Sequence, residues 1–306
     1  MSSYSRLNKA FKGALRLPLN DFCKYVIISD CHRGTGTSND NFLKNQHLYF
    51  AALQHYFIKG FTYIELGDGD ELWENRSFSQ IIETHSNVFW MLSKFYAQNR
   101  LYMLYGNHDI VKKDKQYSDK CCKSYHRCCN GCSYWDNQPL LPGIVFHEGI
   151  ILKNVYAGRR ISPCSDIVPM DVYLTHGHQT ELLNSTFWPA ARFLVRYLWG
   201  PLERVGVLDP TSAARNNERK YAAEKRLHNW AEREKHILIT GHTHRPALDS
   251  SDPYYCNSGS CVHPRCITCL EIEHMQISLV KWTMTTRPDM SLYVEREVLA
   301  EGFRLV

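Results

Sequence analysis

The chain has 306 residues, 44% hydrophobic and 22% charged, with a formal net charge of +5. That is a globular composition with room for one large domain or two small ones, and it excludes a disordered or fibrous chain. No apolar run approaches the roughly 20 residues of a membrane span, and the modest charge fits an anionic substrate or surface without predicting nucleic acid.

Residues 1–24 are a basic lead-in with Arg6, Lys9, Lys12 and Arg16. Leu7, Phe11, Ala14 and Leu15 share one helical face, which predicts a helix packed on the domain; peripheral contact with a membrane is the alternative. No long apolar segment or small-residue cleavage site follows, so no secretory leader is expected. Residues 25–306 form the main domain.

Residues 25–29 read as a buried strand, followed by Asp30-Cys31-His32-Arg33-Gly34. In an extended segment Asp30 and His32 point to one side and Cys31 to the other, toward the core. A helix is predicted from about Asp40 to Lys59, stopped by Gly60. The apolar run Phe61 to Leu66 is the second strand. It ends in Gly67-Asp68-Gly69-Asp70-Glu71, where the chain must turn sharply. With Glu74, four acidic residues lie within seven positions there, and crowded carboxylates repel one another unless a cation neutralises them.

Ser77 and Gln80 have capping-box spacing for a helix through about Gln98. Residues 101–105 are the third strand, ending in Gly106-Asn107-His108-Asp109. Residues 112–138 read as an irregular cysteine-rich insertion. Strands resume at 144–152 and 171–175, the latter ending in His176-Gly177-His178. Residues 184–236 read as a helical excursion, apolar in its first half and strongly charged from Arg215 to Lys235. Residues 237–240 return to a strand ending in Gly241-His242-Thr243-His244, and 254–304 alternate as antiparallel strands do.

Five strand ends therefore carry Asp30/His32, Asp68 or Asp70, Asn107/His108, His176 and His242/His244. Polar residues gather at strand carboxyl ends in layered α/β folds. This mixture of carboxylate, amide and imidazole suits manganese, iron or zinc better than calcium. One carboxylate among so many ligands can bridge two ions, which two-metal sites hold roughly 3.5–4 Å apart.

The series Asp-x-His, Gly-Asp, Gly-Asn-His-Asp, His and Gly-His-x-His resembles the calcineurin-like metallophosphoesterases over roughly residues 25–275. The resemblance implies an α/β fold, a four-layer αββα sandwich, here with a helical lid insertion at 184–236. It implies two divalent metal ions, manganese first, with iron or zinc as alternatives. One site would be Asp30, His32, Asp68 and His244; the other Asp68, Asn107, His176 and His242, with Asp68 bridging and Asp70 in support. His108 would contact substrate phosphate and protonate the leaving oxygen, so that His108, Asp68 and Asn107 are the catalytic residues of a phosphohydrolase that uses metal-bound hydroxide.

In overall plan the chain is also similar to bacterial UDP-diacylglucosamine hydrolases, which place a helical lid at this point and share the Gly241-to-Pro246 and Asn257-to-Ser260 runs. That implies a small phosphorylated substrate, nucleotide- or lipid-linked. His108, where that branch typically carries Arg, is the general family form and keeps a broader phosphodiesterase or nucleotidase as the alternative. A non-catalytic scaffold of the same fold is a third reading.

Arg33 and Arg245 flank ligand positions; each could bind substrate phosphate or pair with nearby carboxylates. Glu71 and Glu74 could orient histidines. Twelve cysteines without a leader predict reduced thiols and a cytoplasmic location, with the inner membrane surface as an alternative. Cys121, Cys122, Cys128, Cys129 and Cys132 offer a structural zinc site, the Cys129-x-x-Cys132 spacing suiting one edge of it.

Overall fold

The computed structural model describes residues 2–37, 40–128, 135–157, 170–199 and 217–305. The part of the excursion at 200–216, and Cys129 and Cys132 of the predicted zinc set, lie outside the described residues. In chain order the strands are β1 (Leu15–Leu19), β2 (Tyr25–Ile28), β3 (Thr62–Leu66), β4 (Leu101–Leu104), β5 (Ser124–Cys128), β6 (Trp135–Pro139), β7 (Phe146–His147) and β8 (Gly149–Asn154). They continue with β9 (Val172–Thr175), β10 (Ile237–Thr240), β11 (Ala247–Asp249), β12 (Asp252–Asn257), β13 (Cys266–Glu273), β14 (Gln276–Thr286) and β15 (Leu292–Arg304).

The central strands are short apolar runs because both of their faces are covered. Ile27, Ile64, Leu66 and Leu104 point into the space between two sheets, where they meet Ile150, Val172, Leu174, Ile237 and Ile239. Val26, Ile28, Tyr63 and Met103 point the other way, onto α2 (Gln46–Ile58), α3 (Phe78–Thr84) and α4 (Ser86–Ala97). One sheet has the order β15-β14-β13-β2-β3-β4-β7, the other β1-β8-β9-β10-β12-β11. The outer face of the second sheet is covered by α1 (Ser3–Lys12) and the helix Asn217–Glu234, through Leu7, Leu227, Trp230 and Ala231 against Leu238. Helices, sheet, sheet and helices are the four expected layers.

Residues 3–19 are built into this frame. Phe11 stacks on Trp230 at 5.3 Å, and β1 pairs in parallel with β8 from Leu15↔Ile150 to Leu19↔Asn154. The predicted helix 77–98 is two helices. Ser77 caps the first, its hydroxyl accepting from Gln80 N at 3.3 Å. The break falls at His85, a fully buried ring between Asp40 Oδ2 at 2.9 Å and Gln46 Oε1 at 3.2 Å. The cysteine-rich insertion contains a helix, Lys115–Cys121, and the β5–β6 hairpin. β13, β14 and β15 are antiparallel as predicted, but β12 joins the other sheet, parallel to β10.

Within the excursion, Trp188–Leu194 leads into a wider turn, Val195–Trp199. Phe193, Leu194, Tyr197 and Leu198 are each about half exposed, so this stretch does not bury its apolar face on the sheet. Among the described residues no helix is long and apolar enough to cross a membrane.

Candidate metal centre

The ends of β2, β3 and β4 in one sheet and of β9 and β10 in the other converge on one place. After β2 the chain is not extended: Asp30 and His32 have φ of 53° and 49°, in the left-handed region. Asp68, His242 and His244 share that conformation, at 51°, 68° and 57°. Each such residue costs on the order of 1–3 kcal/mol and persists only where the surroundings enforce it. Here the backbone enforces it: Asp30 N donates to Gly67 O at 3.1 Å, His32 N to Asp68 O at 2.9 Å, and Arg33 N to Gly69 O at 3.1 Å. The first and second ligand loops are thus bound side by side, and the expected extended alternation of Asp30 and His32 gives way to two kinks. Cys31 between them is fully buried in the core, as expected.

Asp30, His32 and His244 bring one potential ligand atom each to a common point; Asp68, His176 and His242 do the same beside it. Asp68 lies between the groups, its Oδ2 3.1 Å from His176 Nε2 and 3.8 Å from His32 Nε2. Its Oδ1 accepts from His108 N at 2.8 Å. Asp30 ties the groups from the other side: Oδ1 is 3.1 Å from His244 Nε2, and Oδ2 accepts from His242 N at 2.9 Å.

Second nitrogens set the ring orientations. His176 Nδ1 donates to Leu66 O at 2.9 Å, and His32 Nδ1 lies 3.0 Å from Glu71 Oε2. That leaves each Nε2 directed at the cluster, with His32 Nε2 and His244 Nε2 3.3 Å apart.

These atoms fit divalent cations. Asp30 Oδ1, Asn107 Oδ1, His176 Nε2 and His242 Nε2 are buried and none makes a well-aligned hydrogen bond, although Asp30 Oδ1 and His176 Nε2 each face a neighbour at 3.1 Å. Buried polar atoms are nearly always satisfied, so four orphans in one place point to an absent third party. The electrostatics agree. Burial works to raise the Asp68 carboxyl, but His176 and His108 outweigh it and hold it well below the usual carboxylate range. Burial works to lower His176, but Asp68 and Asp30 push it up to about 9. The centre carries anionic charge that favours any cation.

Glu71 organises the approach side. Its Oε2 lies 2.7 Å from His108 Nδ1 as well as near His32, and its Oε1 accepts from Trp73 N and Glu74 N at 3.2 and 3.3 Å. His108 stacks on Trp73, with ring centroids 4.6 Å apart, and keeps about a quarter of its side chain exposed. Burial works to lower His108, but Glu71 and Asp68 raise it.

Arg33 does not face this site, which corrects its expected substrate role. It is fully buried, with Nε on Asp70 Oδ1 at 2.7 Å and Nη1 and Nη2 on Glu65 at 2.8 and 2.9 Å. Lys112 completes the cluster on Asp70 and Asp109, the latter at 2.9 Å. Glu65, Asp70 and Asp109 are close enough to hold an ion, but these two side-chain cations already fill that place. Asp70 is therefore part of a buried ion network behind the site. Arg245 is half exposed and 3.4 Å from Glu224.

Sequence reasoning did not find Trp73, Lys112 or Glu181, whose Oε2 lies 3.7 Å from His242 Nε2. Glu65 did carry a signal, a charge inside an otherwise buried strand. In the insertion, Cys121 and Cys122 are free thiols, and burial pushes Cys122 up to about 12, which suits packing more than ligation.

A family model described as calcineurin-like phosphoesterase matches residues 23–246. Among solved structures, Vps29 of Chaetomium thermophilum aligns at 9% identity over 92% of this chain and 97% of its own, with a TM-score of 0.36. A point mutant of a cold-active protein tyrosine phosphatase aligns at 14% identity over 92% and 83%, with a TM-score of 0.39. No curated protein sequence matches the chain.

Proposed function

The chain belongs to the calcineurin-like phosphoesterase family, and from that premise we propose that it is a phosphohydrolase with a dinuclear metal centre. Asp30, His32, Asp68 and His244 would hold one ion, and Asp68, Asn107, His176 and His242 the other. The observation that carries this reading is the pair of ligand triads, Asp30/His32/His244 and Asp68/His176/His242, lying side by side with their buried orphan atoms. Manganese suits the mixed donor set best, with iron and zinc as alternatives.

Bound divalent ions supply Lewis-acid charge that acidifies a water and neutralises developing charge on phosphoryl oxygens. The chain's own groups do the rest. Glu71 faces the Nδ1 side of His108, whose side chain stays about a quarter exposed. Its charge, with that of Asp68, favours the protonated ring. A proton at His108 Nε2 is then available to the leaving oxygen.

The half-exposed side chains of Phe193, Leu194, Tyr197 and Leu198 support an amphiphilic, lipid- or nucleotide-linked substrate. A UDP-diacylglucosamine-like diphosphate is the specific form of this reading. His108, the general family residue, favours a second reading as a broader phosphodiesterase.

The test is metal analysis with a manganese-supplemented panel of a UDP-linked lipid and simple aryl phosphodiesters. Two transition-metal ions per chain and turnover of the lipid support the first reading. Turnover of the aryl esters alone selects the second. Protein that takes up no transition metal and hydrolyses nothing is a scaffold, and the proposal fails.

A further inference from the structure

A cavity of about 520 Å³ lies between α1, the segment that follows His176 and the charged helix Asn217–Glu234. Ligand pockets span roughly 300–1,000 Å³, so a small molecule or part of one fits. Arg6, Arg219 and Arg226 line it, against a single lining carboxylate, Glu181. They come from two elements, Arg6 from α1 and Arg219 and Arg226 two turns apart on one face of the helix Asn217–Glu234. Arg6 is only 8% exposed, and its Nε donates to Gln179 O at 2.6 Å, so the backbone leading to Glu181 fixes its guanidinium. Leu182 and Leu183, half exposed or more, form an apolar rim.

Glu181 joins this cavity to the metal centre, because it lines the one while its carboxylate lies 3.7 Å from His242 in the other. We infer that the cavity is a second anion subsite, which takes a phosphate of the substrate other than the one attacked. This rests on the phosphohydrolase reading and narrows the substrate class to diphosphates and to phosphodiesters that carry a further phosphate. Clustered guanidiniums suit that ligand, since each presents a planar pair of donors to phosphate oxygens.

The experiment is calorimetric titration of inorganic phosphate into the full chain after chelation of its metals, so that binding is read without turnover. The unaltered chain is expected to bind phosphate, more weakly as salt rises. Arg219→Gln and Arg226→Gln, at exposed helix positions, should each weaken binding about tenfold, the loss of one charge-assisted hydrogen bond. In the manganese-loaded chain the same changes should raise KM for a nucleoside diphosphate sugar by a similar factor.

Absence of phosphate binding, or affinity unchanged in both variants, overturns the subsite. So does binding to phosphatidylglycerol vesicles without binding to inorganic phosphate, which would assign the arginines to a membrane surface. Aryl phosphodiester turnover separates the two ideas: no turnover with phosphate binding intact removes the hydrolase reading alone, and turnover without phosphate binding removes the subsite alone.

Discussion

Asp68 and Asp70 are two residues apart in one acidic turn, yet the fold gives them opposite surroundings. Asp68 faces His32 and His176, whereas Asp70 faces Arg33 and Lys112. Asp68→Asn should therefore abolish activity and lower the metal content of both groups by elemental analysis. Asp70→Asn should keep the metals but destabilise the fold by about 3–5 kcal/mol, because it leaves buried cations short of a partner.

The pH dependence follows from the same network. Burial works to raise the Asp70 carboxyl, but Arg33 and Lys112 hold it at about 2, against roughly 3.9 in an unfolded chain. A depressed folded-state value means that its contribution is present above about pH 4 and is lost as pH falls toward 2. Acid unfolding followed by circular dichroism should show this loss, and Asp70→Asn should shrink it. For His108→Gln, kcat should fall by about 10²–10⁴ on a substrate with a poor leaving group. It should fall far less on a p-nitrophenyl ester, whose leaving oxygen needs no proton. Equal losses on both would remove the acid role.

At the scale of elements, two loops must approach each other more closely than any side chain permits. A Cβ on Gly106 would lie 2.1 Å from Asp68 Oδ1 and 2.6 Å from Asp68 N, and one on Gly67 would lie 2.8 Å from the His176 ring. Gly106→Ala should displace Asp68 and cost metal affinity while circular dichroism stays native.

The excursion also reaches the site. Arg196 donates to Trp73 O, Leu72 O and Asn75 O at 2.8, 2.7 and 3.1 Å, and so holds the loop that stacks Trp73 on His108. Arg196→Ala is expected to lower kcat with metal content unchanged; normal kcat would show that the loop needs no such anchor. The ligand-bearing strands were legible as apolar runs ending in polar triplets. The kinks at Asp30 and His32 were not, because hydrogen bonds to Gly67, Asp68 and Gly69, on the next strand's loop, impose them. Nor was the break at His85, which depends on Asp40 and Gln46 arriving beside it.

At the scale of the molecule, residues 3–19 add an outer helix and an edge strand. Deleting them would uncover Trp230 and the β8 edge, and the shortened chain should lose its cooperative melt or aggregate. Chelation of metals from the intact protein should lower Tm, since an ion that binds only the folded chain stabilises it by RT ln(1 + [L]/Kd). Returning manganese should restore it.

The chain by itself determined which strands are buried on both faces and which of their ends carry carboxylate, amide and imidazole. Those are local properties, set by apolar runs and by the residues that follow them. Only the tertiary structure decided that Arg33 turns inward to Glu65 and Asp70, that Glu71 serves both His32 and His108, and that Arg6 lines one cavity with Arg219 and Arg226. Each of those contacts joins loops or layers far apart in sequence, and spacing along one segment carries no record of which distant charge will stand opposite.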